Sequence, residues 1–305
     1  FTQMDDPDMG YVVGRPQILK LRTSAPKATP EYRWFAVVAS GVNNNKDDGS
    51  GKFSTSGAPA LFLLALDKTA GSAWTATGST PNYYKIVFPV DSVLTADLAP
   101  GMANFSAALG TVGEVAQIYA GDLHGNLWKL DFDLYGASDW IIGKLSPFIK
   151  GTAAYPLYIA KDKESPPNRQ PITMAPSLIR GDAKSSTYIA FGTGKYLESS
   201  DKKNEKTQSF YAVFDNEDTK FDDGDKLSII NGRDRLMEGK VDAKKTNTIT
   251  VPYFQWGRPS KANLSSTSER AGWYFDFPNT GERQVSNAKS VGDFLVFGSL
   301  IPGAS

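Results

Sequence analysis

Residues 15–21 (RPQILKL), 34–45 (WFAVVASGVNNN) and 60–67 (ALFLLALD) set a grammar that returns at residues 175–179 (APSLI), 187–197 (TYIAFGTGKYL) and 209–215 (SFYAVFD). Each copy is a Pro-led strand, an apolar strand ending at Gly, a polar loop, and a strand closed by Asp. A compressed form stands at residues 117–131 (QIYAGDLHGNLWKLD), and its first half recurs at residues 294–299 (FLVFGS). Helical periodicity rarely persists beyond two turns, whereas short apolar runs bounded by Gly, Pro, Asn and Asp recur throughout. The fold class read from this is all-β. Propeller strands near the hub are covered on both faces by neighbouring blades and are therefore continuously apolar. Pro16 and Pro176 lie 160 residues apart, room for four blades of about 40 residues. A β-sandwich with similar hairpins is the competing architecture, because short strands alone do not discriminate. The polar insertions at residues 43–57, 161–169, 199–207 and 216–225 read as loops on the rim or on one face.

With 305 residues, 40% apolar and 12% aromatic, the chain has enough apolar side chains for a sizeable core; it is read as one β-propeller domain over residues 1–305. Lys and Arg number 33, as do Asp and Glu. No net field therefore draws the molecule to nucleic acid or to an anionic membrane. The absence of cysteine removes disulfides, thiol catalysis and thiolate metal sites together. The longest apolar run, residues 60–66, is far short of the roughly 20 residues of a spanning helix. A start at Phe1 without an initiator methionine reads as a segment of a longer protein.

The string YAGDLHGNLWKLD at residues 119–131 resembles the signature of the PilY/PilC family of type IV pilus tip-associated proteins. Other pieces fit in order: ITMAPSL (172–178), FGTGKYLESSD (191–201), SFYAVFDN (209–216), GWYFDFPNTGERQV (272–285) and VFGSLIP (296–302). The resemblance implies a modified, quinoprotein-dehydrogenase-like β-propeller at the C-terminal end of a larger secreted protein, its ring incomplete in this segment. It also implies a non-enzymatic role in pilus assembly, opposition to retraction and adhesion. The implied partners are minor pilins at the pilus tip and a host-cell surface receptor, with periplasm, outer membrane and cell surface as the location. Two other functions are weighed against it. A PQQ-type quinoprotein dehydrogenase shares similar hairpins but needs a Ca²⁺ cage and a catalytic aspartate. A scaffold propeller of an outer-membrane assembly machine is supported by fold analogy alone.

Family members bind Ca²⁺ through a D-x-D-x-D-G-x-x-D loop before the YAGD strand. Here the carboxylate positions fall on Ala108, Gly110, Val112 and Ala116, and only Gly113 remains. Oxygen ligands are what a hard cation requires, so no cofactor or metal is expected there. Asn43, Asn45 and Asp47 place oxygens at alternate positions, but the loop lacks the sixth-position glycine and the distant bidentate acid. An ordinary Asn/Asp/Gly turn is the plainer reading, as a solvated loop is for the acidic stretch 215–225. Arg180, Gly181 and Asp182 spell a tripeptide that integrins read on a protruding turn. The plainer reading is a hairpin connection. His124, the single histidine, is expected as an exposed turn residue, and no catalytic residue is assigned. Residues 192–195 (GTGK) lack phosphate-loop spacing. Trp34, Trp128, Trp140, Trp256 and Trp273 are expected as packing anchors.

Overall fold

Successive side chains in a strand point to opposite faces, so loss of alternation marks a strand enclosed on both sides. In β1 (Gln17–Arg22) the pattern alternates and buries Leu19 and Leu21. In β2 (Tyr32–Ala39) alternation stops at Val37, after which both faces are buried, and β3 (Ala60–Ala65) is buried almost throughout. With β4 (Tyr83–Val87) these strands form an antiparallel sheet in the order β1-β2-β3-β4. A computed structural model describes residues 1–95, 98–181, 186–215, 217, 219, 232–242, 245–260, 269–292 and 294–303. Contacts group the chain into two compact units, residues 1–124 with 128–155, and residues 125–127 with 156–305.

In the first unit, one face of this sheet packs Leu19, Phe35, Val37, Leu61 and Ile86 into a core. Phe105 from β5 (Phe105–Leu109), Ile118 from β6 (Val115–Gly121), and Trp128 and Leu130 from β7 (Asn126–Asp131) belong to the same cluster. Each such side chain contributes about 1.5–3 kcal/mol by leaving water. The opposite face buries Val38, Ala60, Phe62 and Tyr83 beneath the N-terminal segment. There the Phe1 ring lies 5.2 Å from Phe62, 5.0 Å from Tyr83 and 5.4 Å from Trp74.

A second sheet runs β8-β7-β6-β5, where β8 (Tyr158–Ile159) pairs with Asn126 and Leu127 at the start of β7. In the second unit, β9 (Ser177–Arg180), β10 (Thr187–Gly192), β11 (Ser209–Asp215) and β13 (Gly272–Asp276) are antiparallel neighbours. The short β12 (Met237–Glu238) adds to β13 in parallel. None of these three larger sheets closes on itself among the described residues. The two copies of the sequence grammar are β1-β2-β3 and β9-β10-β11, and the compressed copy is β6-β7. Among the described residues no helix is long and apolar enough to cross a membrane.

Several expectations are corrected. The 160 residues from Pro16 to Pro176 hold two four-stranded sheets rather than four blades, because long connections such as residues 43–59 and 132–157 lengthen each repeat. The FLVFGS segment is no hub strand. It pairs β15 (Phe294–Val296) with β14 (Lys289–Val291) in an antiparallel pair that leaves Phe294 75% and Val296 57% exposed. Trp34 is 52% exposed, since the outer half of β2 turns alternate residues away from the core. Trp128 and Trp140 are buried as expected, and Trp128 Nε1 donates to Asp122 Oδ2 at 2.8 Å.

Candidate functional site

Among the described residues, those singled out in the sequence have a definite local setting. Arg180 ends β9 with an exposed side chain, and the Gly181 N–H donates to the Ser186 carbonyl at 2.9 Å. A Cβ on Gly181 would come within 2.3 Å of Ser186 Oγ, so the connection admits only glycine without rearrangement. Asp182 lies outside the described residues. Next to this turn the register aligns Ile179, Tyr188 and Phe214, and the Tyr188 and Phe214 rings stack at 5.0 Å. The strand end at Arg180 therefore adjoins an aromatic pair of the same sheet.

Asn43 holds a left-handed backbone (φ 58°), and Asn45 and Asp47 are exposed. Asp47 Oδ1 accepts the N–H groups of Gly49 and Gly51, both at 2.9 Å. The carboxylate thus closes its own turn. Buried Asn44, between the predicted oxygens, donates to the carbonyls of Asp8 and Ala58. It pins the loop to the first unit.

The residues at the family calcium position do not fit a hard cation. Gly110 donates to the Glu114 carbonyl at 2.7 Å, Gly113 adopts φ 78°, and the Glu114 carboxylate accepts the Val112 N–H at 3.0 Å. Lys20 Nζ donates to the Val112 carbonyl at 2.5 Å. A fixed ammonium therefore already engages a carbonyl of this turn. Among the described residues no group of three or more His, Asp or Glu side chains has metal-binding geometry. Of the acidic stretch, Asp215 is buried and accepts the Glu217 N–H at 3.0 Å; Asn216, Asp218 and residues 220–225 lie outside the described residues.

The expectation for His124 is corrected: it is 2% exposed, with Nε2 2.8 Å from the Leu98 carbonyl. The turn is not free, because the Leu123 N–H donates to Gly101 O at 2.9 Å and holds the turn against the 98–101 segment.

Two polar centres in the second unit escaped the sequence reading. In the first, Arg233 Nη1 donates to Asp276 Oδ1 (2.7 Å), and Nη2 to Ser209 Oγ (2.7 Å) and the Tyr211 hydroxyl (2.8 Å). The guanidinium lies 4.5 Å from the Tyr274 ring centre. Tyr211 donates to Gln170 Oε1 at 2.5 Å, and Gln170 Nε2 donates to the Thr207 carbonyl. Lys163 bonds Glu238 and lies 3.9 Å from Asp276. Burial opposes the charge on Arg233, yet Tyr211 and Asp276 outweigh it and hold its pKa above the ordinary range. Burial pushes the Tyr211 phenol up. These groups are paired with one another, so the cluster locks β11, β13 and the 161–170 segment together. The register was its signal: Ser209 faces Asp276 and Tyr211 faces Tyr274.

The second centre is Arg283, 1% exposed. Its guanidinium donates to the carbonyls of Gly281, Lys195, Asp201 and Asn204. Gln284 Oε1 accepts the Gly192 N–H at 2.5 Å. The GTGKYLESSD and TGERQ strings are thus two halves of one clasp.

A family model described as the PilY1 β-propeller domain matches residues 4–248. The type IV pilus biogenesis factor PilY1 of Pseudomonas aeruginosa PAO1 is 24% identical over 322 residues, covering 97% of this chain and 24% of that protein. A PilY1 homolog of Xylella fastidiosa Temecula1 is 27% identical, over 99% of this chain and 18% of that protein. The chain therefore spans a quarter or less of these relatives' length. The crystal structure of the P. aeruginosa PilY1 C-terminal domain superposes with a TM-score of 0.64 at 20% identity, covering 99% of this chain and 58% of that one.

Proposed function

The chain belongs to the PilY1 β-propeller family, and on that premise we propose that it serves type IV pilus biogenesis as a non-catalytic docking module. The single observation that carries this reading is the family match across most of the chain. The structure supports a passive role in one respect: the titratable groups gathered around Arg233 bond each other and tie strands together. In the fuller form of the proposal, the module docks minor pilins at the pilus tip, opposes retraction, and contributes to attachment to a host-cell receptor. It works at the cell surface after passing the periplasm and outer membrane. Binding residues are commonly carried on loops held by a rigid scaffold, and Arg180 stands exposed at the end of β9, where such a connection begins.

Deletion of the parent gene, with electron microscopy of surface pili and a twitching assay, tests the proposal. Loss of pili and twitching is expected, with pili returning when the retraction motor is also removed. Normal pili and motility in the deletion strain overturn it.

A further inference from the structure

A cleft of about 290 Å³ opens in the second unit between Ile249, Phe275, Phe277, Phe297, Glu282 and Ser299. Its rings stand at steep angles: Phe275 and Phe277 are 5.6 Å apart at 88°, and Phe277 and Phe297 are 6.2 Å apart at 67°. Phe297 is fixed from behind by Phe210, stacked on it at 4.3 Å and 9°. Phe275, at 18° to Phe210, and Phe297, at 9° to it, thus present nearly parallel faces, and Phe277 stands across them.

Glu282 supplies the charge. It is 8% exposed, and its carboxylate accepts only neutral donors: Ser299 Oγ–H at 2.6 Å, Asn279 Nδ2–H at 2.7 Å and the Asn279 backbone N–H at 3.3 Å. No cation among the described residues pairs with it. The adjacent Arg283 directs its guanidinium to four carbonyls instead. Buried carboxylates in folded proteins are as a rule paired with a cation. Aromatic faces carry negative charge density that attracts cations, most strongly when water is excluded. A carboxylate with no counter-ion among the described residues, set against phenyl faces, complements an alkylammonium group in both charge and shape. The volume lies at the lower end for ligand sites, suited to one side chain and too small for a cofactor.

We propose that this cleft receives the ammonium tip of a lysine side chain presented by a partner protein, with Glu282 as counter-ion and Phe275, Phe277 and Phe297 around the alkyl stem. The argument does not depend on the pilus role, since it rests on the chemistry of the cleft alone.

Titration of the full chain by NMR with N-acetyl-lysine methylamide, its neutral norleucine counterpart and phosphocholine tests the proposal. Saturable binding of the lysine probe is expected, with the norleucine probe at least about tenfold weaker. Glu282→Gln is expected to weaken lysine binding by about tenfold, a change of about 1.4 kcal/mol, and Phe297→Leu to weaken it several-fold. The wild-type comparison of lysine with norleucine stands even if a variant fails to fold. Equal binding of the two overturns the proposal, as does tighter binding of phosphocholine, which would assign the cleft to a lipid headgroup. Absence of saturation up to about 20 mM, where binding would be weaker than about −2.3 kcal/mol, overturns it as well.

Discussion

Arg283 Nη1 donates to the Lys195 carbonyl at 2.8 Å across 88 residues of chain. One planar fork thereby closes the loop after β10, because the same guanidinium reaches Asp201 and Asn204 beyond it. Replacing Arg283 with Met leaves several buried carbonyls without donors, each costing about 1–3 kcal/mol. Arg283→Met is expected to lower unfolding free energy by about 3 kcal/mol or more in urea titrations. Arg283→Lys recovers little, since a compact ammonium does not reproduce the fork. A change within about 0.5 kcal/mol for both variants, the range of an unremarkable surface site, would refute the clasp.

Two tyrosines of the second unit are predicted to respond with opposite signs. The Tyr158 hydroxyl is buried with no hydrogen-bond partner among the described residues, so the folded state bears the cost of drying it. Tyr158→Phe is expected to be neutral or to stabilise by up to about 1 kcal/mol. The Tyr211 hydroxyl accepts from Arg233 and donates to Gln170. Tyr211→Phe strips a partner from a buried charge and is expected to cost about 2 kcal/mol or more. Thermal melts of the two variants side by side settle it, and destabilisation of the same size in both would contradict this account.

The fold was legible in the sequence because enclosed strands announce themselves. The uninterrupted apolar run of β3 and the Gly-ended runs of β2 and β10 fall where they were read. Blade count was not legible, because connections of varied length break the regular period. Burial of His124 was also hidden, since it depends on the 98–101 segment, remote in sequence. The Arg233 centre draws on residues from 163 to 276 and the Arg283 clasp on residues from 192 to 284, and nothing local distinguishes a buried arginine from an exposed one. Only the strand register, which pairs Ser209 with Asp276 and Tyr211 with Tyr274, brings the first of them together.

Calcium is expected to leave the chain's stability unchanged. Lys20 already holds the Val112 carbonyl, and no carboxylate stands at positions 108, 110, 112 or 116. A ligand at 100 times its dissociation constant adds about 2.7 kcal/mol, enough to move the melting midpoint by several degrees. Melting curves in EGTA and in millimolar Ca²⁺ should therefore superimpose, while Lys20→Met loses about 0.5–1.5 kcal/mol in both. A calcium-dependent rise would overturn the prediction. If Asp47→Ala then abolished the rise, the ion would belong to the loop of Asn43, Asn45 and Asp47.

Were Arg180, Gly181 and Asp182 read by a receptor, attachment would demand a carboxylate of fixed reach. Asp182→Glu keeps the charge and lengthens the side chain by one methylene, so it is expected to reduce binding to immobilised host-cell receptor without altering the melting midpoint. Binding equal to the parent protein removes the tripeptide from consideration and leaves the turn as a simple connection between β9 and β10.

Alkaline pH should loosen the first unit through Tyr83. Its hydroxyl donates to Asp6 Oδ2 at 3.0 Å, and Lys85 bridges Asp6 at 3.0 Å and Asp8 at 2.7 Å. Burial, reinforced by the Asp6 charge, pushes the Tyr83 phenol up to about 12. An unfolded tyrosine titrates near about 10. Between these values the unfolded chain has released its proton while the folded chain keeps it, so stability falls as pH rises. The contribution is fully present below about pH 10 and gone above about pH 12. Tyr83→Phe forfeits the hydrogen bond to Asp6 at neutral pH, but removes this group's share of the decline. Urea midpoints at several pH values from about 8 to about 12 should therefore converge for parent and variant. Parallel curves would show that the Tyr83 proton is not what ties the N-terminal segment to β4.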